Sequence, residues 1–489
     1  MNTPETAIQA VPPPAAPISQ PPVRRRRWKF VAAFALIVLA IGAAYYFVTG
    51  YLYDRQLERV YAEMDADDPN WRWPDLAAEL KAPPDEENSA KHLLKVADLL
   101  VLKPFDRAGT WPGATMEKAL AIRNARLSPE HIKTLSVHFS KLDPDCLNEA
   151  RKLKDMPEGR FAIPADVDNV FALNLEWIQK TREVIHVLYG DAVLRGQGDV
   201  EGAAETCLAM IHVCHSINDH PFLISQLVRI AEHHITFVAL ERLLAQGELK
   251  EPTLARLQAA LEREAAANTF HLGMRGERAG TAHFFKAVRE GKASLGKVMV
   301  GSRSPDMGER LLDAFPGLVL RGQAEHLSLM NEMTQVSKLT GPERAAGLAK
   351  VEAKVRKSWT WSVRLLMPAV TKVADASDRS QAMLRCAVAA FAAERYRLRH
   401  QAWPASLKDL VGDGLLKEIP LDPYDGKPLR LLKTPGGGVL IYSIGRDKVD
   451  NGGKLDRMNP YNNGTDAGFE VWRPSMRGIE PPVFEEKDQ

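Results

Sequence analysis

Residues 31 to 49 read VAAFALIVLAIGAAYYFVT, an apolar run without a single charge. At the helical rise of 1.5 Å per residue it covers the roughly 30 Å hydrocarbon layer of a bilayer. Past it the period of the pattern changes. Residues 86 to 270 carry the repeat of amphipathic helices: Leu227, Ala231, His234 and Val238 follow a 4, 3, 4 spacing, and Ala203, Cys207, Ile211 and Cys214 do much the same one segment earlier. Breaks fall at Gly196 to Asp199, at Asn218 to Pro221 and at Gly247 to Pro252, each with a capping residue or a helix-starting proline. A series of antiparallel helical hairpins is the expectation. Residues 271 to 380 continue less regularly, with a helix end at HFFKAVREGK and a loop at GSRSPDMGE. A strong helix follows in MLRCAVAAFAAERYRLRH and stops before Pro404. Then come turns (DPYDGKP, TPGGG), the strand-like runs LRLLK and VLIYSI, and a glycine- and aspartate-rich loop before FEVW.

The predicted fold class is therefore mainly α, with one N-terminal transmembrane helix and a small C-terminal α+β module. Its parts are a disordered Pro/Arg-rich tail over 1–27, the span over 28–50, a helical domain over 51–380, the α+β module over 381–475 and a disordered tail over 476–489. Orientation follows from the flanks. Arg24, Arg25, Arg26, Arg27 and Lys29 precede the span, whereas the far side opens with the mixed pair Asp54 and Arg55. The positive-inside bias puts the N-terminus in the cytoplasm and the bulk outside the inner membrane. Trp28 and Phe30 on one edge and Tyr45, Tyr46, Tyr51 and Tyr53 on the other suit the two interfaces. A cleaved signal peptide and a buried core helix are the competing readings, and the proline-rich VPPPAAPISQPP ahead of the arginines favours an uncleaved anchor.

Composition narrows the function classes. With 64 basic against 62 acidic residues, a net charge of +2, the chain has no global field for capturing phosphates, which speaks against nucleic acid. Cys146, Cys207, Cys214 and Cys386 are too few for a disulfide scaffold in 489 residues. On one helix, Cys207 and Cys214 would stand roughly 10 Å apart, beyond disulfide reach. They read as small buried apolar residues.

Candidate chemistry is sparse. His212, His215, His220, His233 and His234 are the densest histidine cluster, and His212 with His215 has a spacing by which helical ligands share a metal, with Glu232 to complete the set. That arrangement would suit a metal-dependent envelope hydrolase. Against it, His234 lies on the apolar stripe, where a hydrogen-bonded core histidine is the simpler reading. HExxH, GxSxG and the P-loop pattern are absent from the sequence. Trp71 and Trp73, beside a proline break, read as residues that pack a domain's start onto its core. GDVEGAAETCLAMIHVC looks like half of a tetratricopeptide unit, but no 34-residue period repeats three times.

One resemblance is informative. The long helix, AWPASLKDLV, IPLDPYDGKPLR, YSIGRDKVDNGG and then Asp466 before a last strand resemble, in that order, the C-terminal part of the major pseudopilin of type II secretion systems. The resemblance covers about residues 386 to 472. It implies an α+β module whose aspartate-rich loop holds a calcium ion, and it assigns Asp447, Asp450, Asp456 and Asp466 as the ligands. Chemically, carboxylates within a glycine-rich loop suit a hard cation, and they equally suit a solvated turn. Unlike that family, this chain has an acid-free span and places its module far from it. DPNWRWPDL, DEENSA and LISQLVRIA resemble uncharacterised membrane-anchored proteins of planctomycetes and related bacteria, which implies a bacterial envelope. The function expected is a membrane-anchored extracytoplasmic scaffold or interaction protein, with the lipid bilayer and envelope or secretion proteins as partners.

Overall fold

Helix α1 (Arg25–Asp67) carries the apolar run without a break in the computed structural model, which describes residues 25–100, 115–294, 322–360, 370–457 and 462–484 and a few positions between 320 and 367. An 18-residue window of α1 reaches a mean hydropathy of 2.4, and none of it is buried. By length and composition the helix is able to cross a membrane; anchors and signal sequences both meet that description. The proline-rich tail before it, and the loop expected at GSRSPDMGE, lie outside the described residues.

Residues 59–489 form one compact unit, and the first 58 residues form another. In the larger unit a set of short helices comes first: α2 (Trp73–Glu79), α3 (Ser89–Asp98), α4 (Met116–Ala121), α5 (Pro129–Phe139) and α6 (Pro144–Lys152). Longer ones follow: α7 (Trp177–Arg195), α8 (Val200–Ile217), α9 (Leu223–Gln246), α10 (Glu251–Ala266) and α11 (Thr269–Arg289). Their ends fall where local chemistry puts them. Asn88, Ser128, Asp143, Asp199 and Asn268 each accept a first-turn backbone N–H with the side chain. Pro129, Pro144 and Pro252 stand in the first turn, where a missing N–H costs nothing. Between α8 and α9 the chain reverses at Asn218, whose φ of 45° is left-handed; there Gln226 Nε2 donates to the Asn218 and His220 carbonyls. Gly276 on α11 is required by packing, because the Pro221 carbonyl oxygen occupies the place of a Cβ.

The chain then forms α12 (Gln323–Lys338), α13 (Gly341–Lys357), α14 (Val370–His400) and α15 (Leu407–Gly412), the last started by a Ser406/Asp409 capping box. Strands β1 (Arg430–Lys433), β2 (Val439–Ser443) and β3 (Ala467–Val471) make an antiparallel sheet in the order β1-β2-β3, with Leu431 opposite Ile441 and Ile441 opposite Phe469.

Two expected boundaries meet continuous, ordered structure. No break separates a helical domain ending at 380 from a module beginning at 381, because α14 runs through both. Its alanines Ala387, Ala389, Ala390, Ala392 and Ala393 are all buried, and such small side chains let neighbours close in all around it. It packs on α9 and α10 as well as on β2 and β3. One apolar cluster accordingly joins Leu188, Cys207 and Leu244 of the hairpins to Phe391, Ile441 and Phe469. The second concerns the tail. Residues 476–484 are fastened rather than disordered: Arg477 donates to both Glu394 oxygens at 2.8 Å with its side chain 1% exposed, and Ile479 bridges to Ala125. Residues 485–489 lie outside the described set. A chain end that carries a guanidinium onto a buried carboxylate is held by the cost of leaving that carboxylate unpaired.

Trp71 and Trp73 are buried, Trp71 against Tyr61 and Trp73 against Phe222. All four cysteines are buried and unpaired.

Candidate functional site

Helix α9 presents two chemistries. Its inward face carries Arg229, Glu232 and His233, all buried, among the tightly packed helices α8, α10 and α14. The apolar stripe of Leu227, Ala231, His234 and Val238 was expected to face core; it lines an open cavity of about 270 Å³ instead. That cavity lies between α9, α14 and the edge of β3.

Around Glu264 of α10 the inward face forms a polar cluster. Arg229 clasps the carboxylate, Nε to Oε2 at 3.0 Å and Nη2 to Oε1 at 2.9 Å. His215 Nδ1 lies 2.5 Å from Oε1 and His233 Nε2 2.6 Å from Oε2. The other ring nitrogen of His233 stands 2.9 Å from Ser380 Oγ on α14. Burial works against charge on Glu264, but Arg229, His215 and His233 outweigh it and hold the carboxyl well below the usual range. Burial keeps His233 neutral despite Glu264.

Of the candidates for a metal, His215 thus meets Glu264 rather than Glu232, and His212 gives Nδ1 to the Leu153 carbonyl at 2.8 Å. The two histidines share a helix but not a ligand. Glu232 stands apart. It is fully buried, and neither oxygen has hydrogen-bond geometry with a described residue. Burial pushes its carboxyl up to about 8, only partly offset by Thr181, whose hydroxyl donates to the Ile178 carbonyl. His220 is pushed down to about 3 by burial and rests against Trp177. His234 is pushed to about 4, by burial first and then by Arg123 and Arg379.

In the aspartate-rich loop, carboxylates act on the backbone. Asp447 accepts from Val449 and Gly464 N–H at 3.0 and 2.7 Å, Asp450 from Gly452 at 2.9 Å, and Asp466 from Asn451 and Gly453 at 3.2 and 2.7 Å. Asp456 lies at the cavity wall, together with Asp466. Among the described residues no three metal-ligating side chains converge, and the loop's carboxylates close on backbone N–H groups.

The polar rim of the cavity is a set of ion pairs. Glu241, buried in α9, takes Arg123 at 3.2 Å, Arg457 at 3.0 Å and the Glu470 N–H at 3.1 Å. Arg457 also reaches Glu470 at 2.8 Å. Its wall is apolar: Leu227, Ile230, Phe237, Met383 and Phe469. Ser380 belongs to both places, since it lines the cavity and touches His233. Sequence reasoning reached His215 and His233 but missed Arg229, Glu264 and Ser380. Arg229 was within reach, four residues from His233 and so on its face. Nothing local in the sequence joins Ser380 to a residue so far away on α9.

No protein-family model, no curated protein and no solved structure matches this chain. Its class is therefore defined by structure alone: a helix-rich protein with, among the described residues, one span-capable helix near the N-terminus and a three-stranded antiparallel sheet built onto its last long helix.

Proposed function

We propose that the protein is a membrane-tethered scaffold of a bacterial envelope. Helix α1 is the anchor, its arginine side faces the cytoplasm, and the body presents its helices and a pseudopilin-like C-terminal module to other envelope or secretion proteins. The observation that carries this reading is α1 itself, whose apolar window of mean hydropathy 2.4 is wholly uncovered. So large an exposed apolar surface demands a lipid or protein covering. The order of long helix, capped short helix and antiparallel meander supports the likeness of the module to a pseudopilin, while the shared core with α9 and α10 favours a fixed cap over a filament subunit.

The test is made on the full chain in a bacterial host. The expected result is retention in membranes through alkaline carbonate, an intact N-terminus, and digestion of the body by protease added to spheroplasts. Release by carbonate, or a mature N-terminus beyond residue 50, sinks the anchor. Crosslinking before extraction should add discrete envelope proteins to the chain; a chain recovered always alone sinks the scaffold.

A further inference from the structure

The buried polar cluster and the cavity meet at one hydroxyl, that of Ser380. We propose that Ser380, His233 and Glu264 form a hydrolytic relay opening into the cavity, and that its substrates are carboxylic esters with a small apolar acyl group.

The argument begins with atoms. Glu264 Oε2 lies 2.6 Å from His233 Nε2, and His233 Nδ1 lies 2.9 Å from Ser380 Oγ. An ionised carboxylate only accepts, so the hydrogen of neutral His233 stands on Nε2 and points at Glu264. Nδ1 then offers its lone pair to Ser380, which donates. Nucleophile, base and orienting acid are thus in line at hydrogen-bond distance, with the two imidazole nitrogens exchanged relative to the usual serine hydrolase order. Three separate helices supply them: α14, α9 and α10. Protonation states agree, since Glu264 is held ionised and His233 neutral.

Position makes the arrangement more than a core hydrogen bond. Ser380 lines the cavity, whereas Ser377, one turn earlier on the same helix, is buried against Thr269 at 3.0 Å and is not part of its wall. Leu227, Ile230, Phe237, Met383 and Phe469 give the cavity an apolar wall, and about 270 Å³ admits a small acyl group but no folded partner. Arg379 and Arg123 line the same space, each beside a carboxylate, Asp375 at 3.9 Å and Glu241 at 3.2 Å.

The chemistry balances with water as the second reactant. Ser380 Oγ attacks the ester carbonyl carbon while its proton passes to His233 Nδ1. The carbonyl electrons move onto oxygen and return to expel the alkoxide, which takes the proton from His233 and leaves as the alcohol. Water then attacks the acyl-Ser380 ester by the same route, releasing the carboxylic acid and restoring the hydroxyl. Glu264 is a positioning residue: it fixes the tautomer and favours the transient imidazolium. Because Arg229 already takes up much of its charge, that help is reduced, and activated esters should turn over faster than alkyl esters.

The experiment uses the purified full chain in detergent, a fluorophosphonate probe and p-nitrophenyl acetate and butyrate. The expected result is one covalent adduct, mapped by peptide mass to Ser380 in the unaltered protein. Ester turnover should fall roughly 100-fold or more in Ser380→Ala and stay unchanged in Ser377→Ala. Glu264→Gln should lower kcat and leave KM in place, a split that loosened packing would not give. If the probe leaves Ser380 unmodified in unaltered protein with a cooperative melting transition, the relay is overturned, whatever the variants do. Turnover that persists in a folded Ser380→Ala overturns it as well. Neither result depends on the membrane anchor or on envelope partners.

Discussion

Glu232 gives the core one pH response of its own. Its folded carboxyl, near 8, lies well above the unfolded value near 4.5, so between those values the folded chain holds a proton that the unfolded chain has released. The contribution is fully present below about 4.5 and is lost as pH rises through 8. Glu232→Gln removes this slope, and the variant should gain on the parent by a few kcal/mol between pH 5 and pH 8.5, each pKa unit being worth about 1.4 kcal/mol. Denaturant melts of both chains at the two pH values check it; a constant difference sinks it. Arg229→Ala works in the opposite sense, because it strands Glu264 in the interior. A loss of about 3–5 kcal/mol is expected from the same melts. At this scale the sequence was only half legible. Histidine spacing singled out His212 and His215 because helical periodicity is local. The carboxylate that receives His215 sits 49 residues further on, and no spacing rule reaches that far.

Helices and strands were the more readable level. The breaks at Gly196–Asp199 and Asn218–Pro221 fall between α7 and α8 and between α8 and α9, and that at Gly247–Pro252 runs from the end of α9 into the first turn of α10, since caps and prolines act within a turn of themselves. LRLLK, VLIYSI and FEVW became β1, β2 and β3. Missed was the fastening of the tail, because composition alone cannot show that Arg477 has a carboxylate waiting. Deleting residues 477–489 exposes Glu394 to the loss of one of its two arginine partners, and should cost about 3–5 kcal/mol in a chemical melt; an unchanged midpoint would mean the tail only rests on the surface. In the acidic loop, Asp447→Ala removes two acceptors of backbone N–H groups and should lower stability by about 1–2 kcal/mol. Its thermal midpoint, like the parent's, should be the same in calcium and in chelator. A calcium-dependent rise that Asp447→Ala abolishes would assign the loop to the cation after all.

Taken as a whole, the body is organised by α14. Because this helix is covered by hairpins on one side and strands on the other, a fragment of residues 370–484 bares its alanine face and should stay unfolded by circular dichroism; a folded, monomeric fragment would restore the boundary at 380. The one apolar cluster that holds all four thiols also gives them a use. Cys146 sits in the short α6, Cys207 and Cys214 in α8, and Cys386 in α14. Each is sealed from solvent, and burial raises every one of these thiols, Cys146 to about 11. A thiol that is neither exposed nor ionised reacts only while its surroundings are open. Alkylation in native buffer therefore reads the breathing of the molecule helix by helix, with Cys146 marking local release and the other three the loss of the whole core. In an oxidising compartment the same clock runs during folding: whichever thiol is enclosed last is the one left available for a wrong bond.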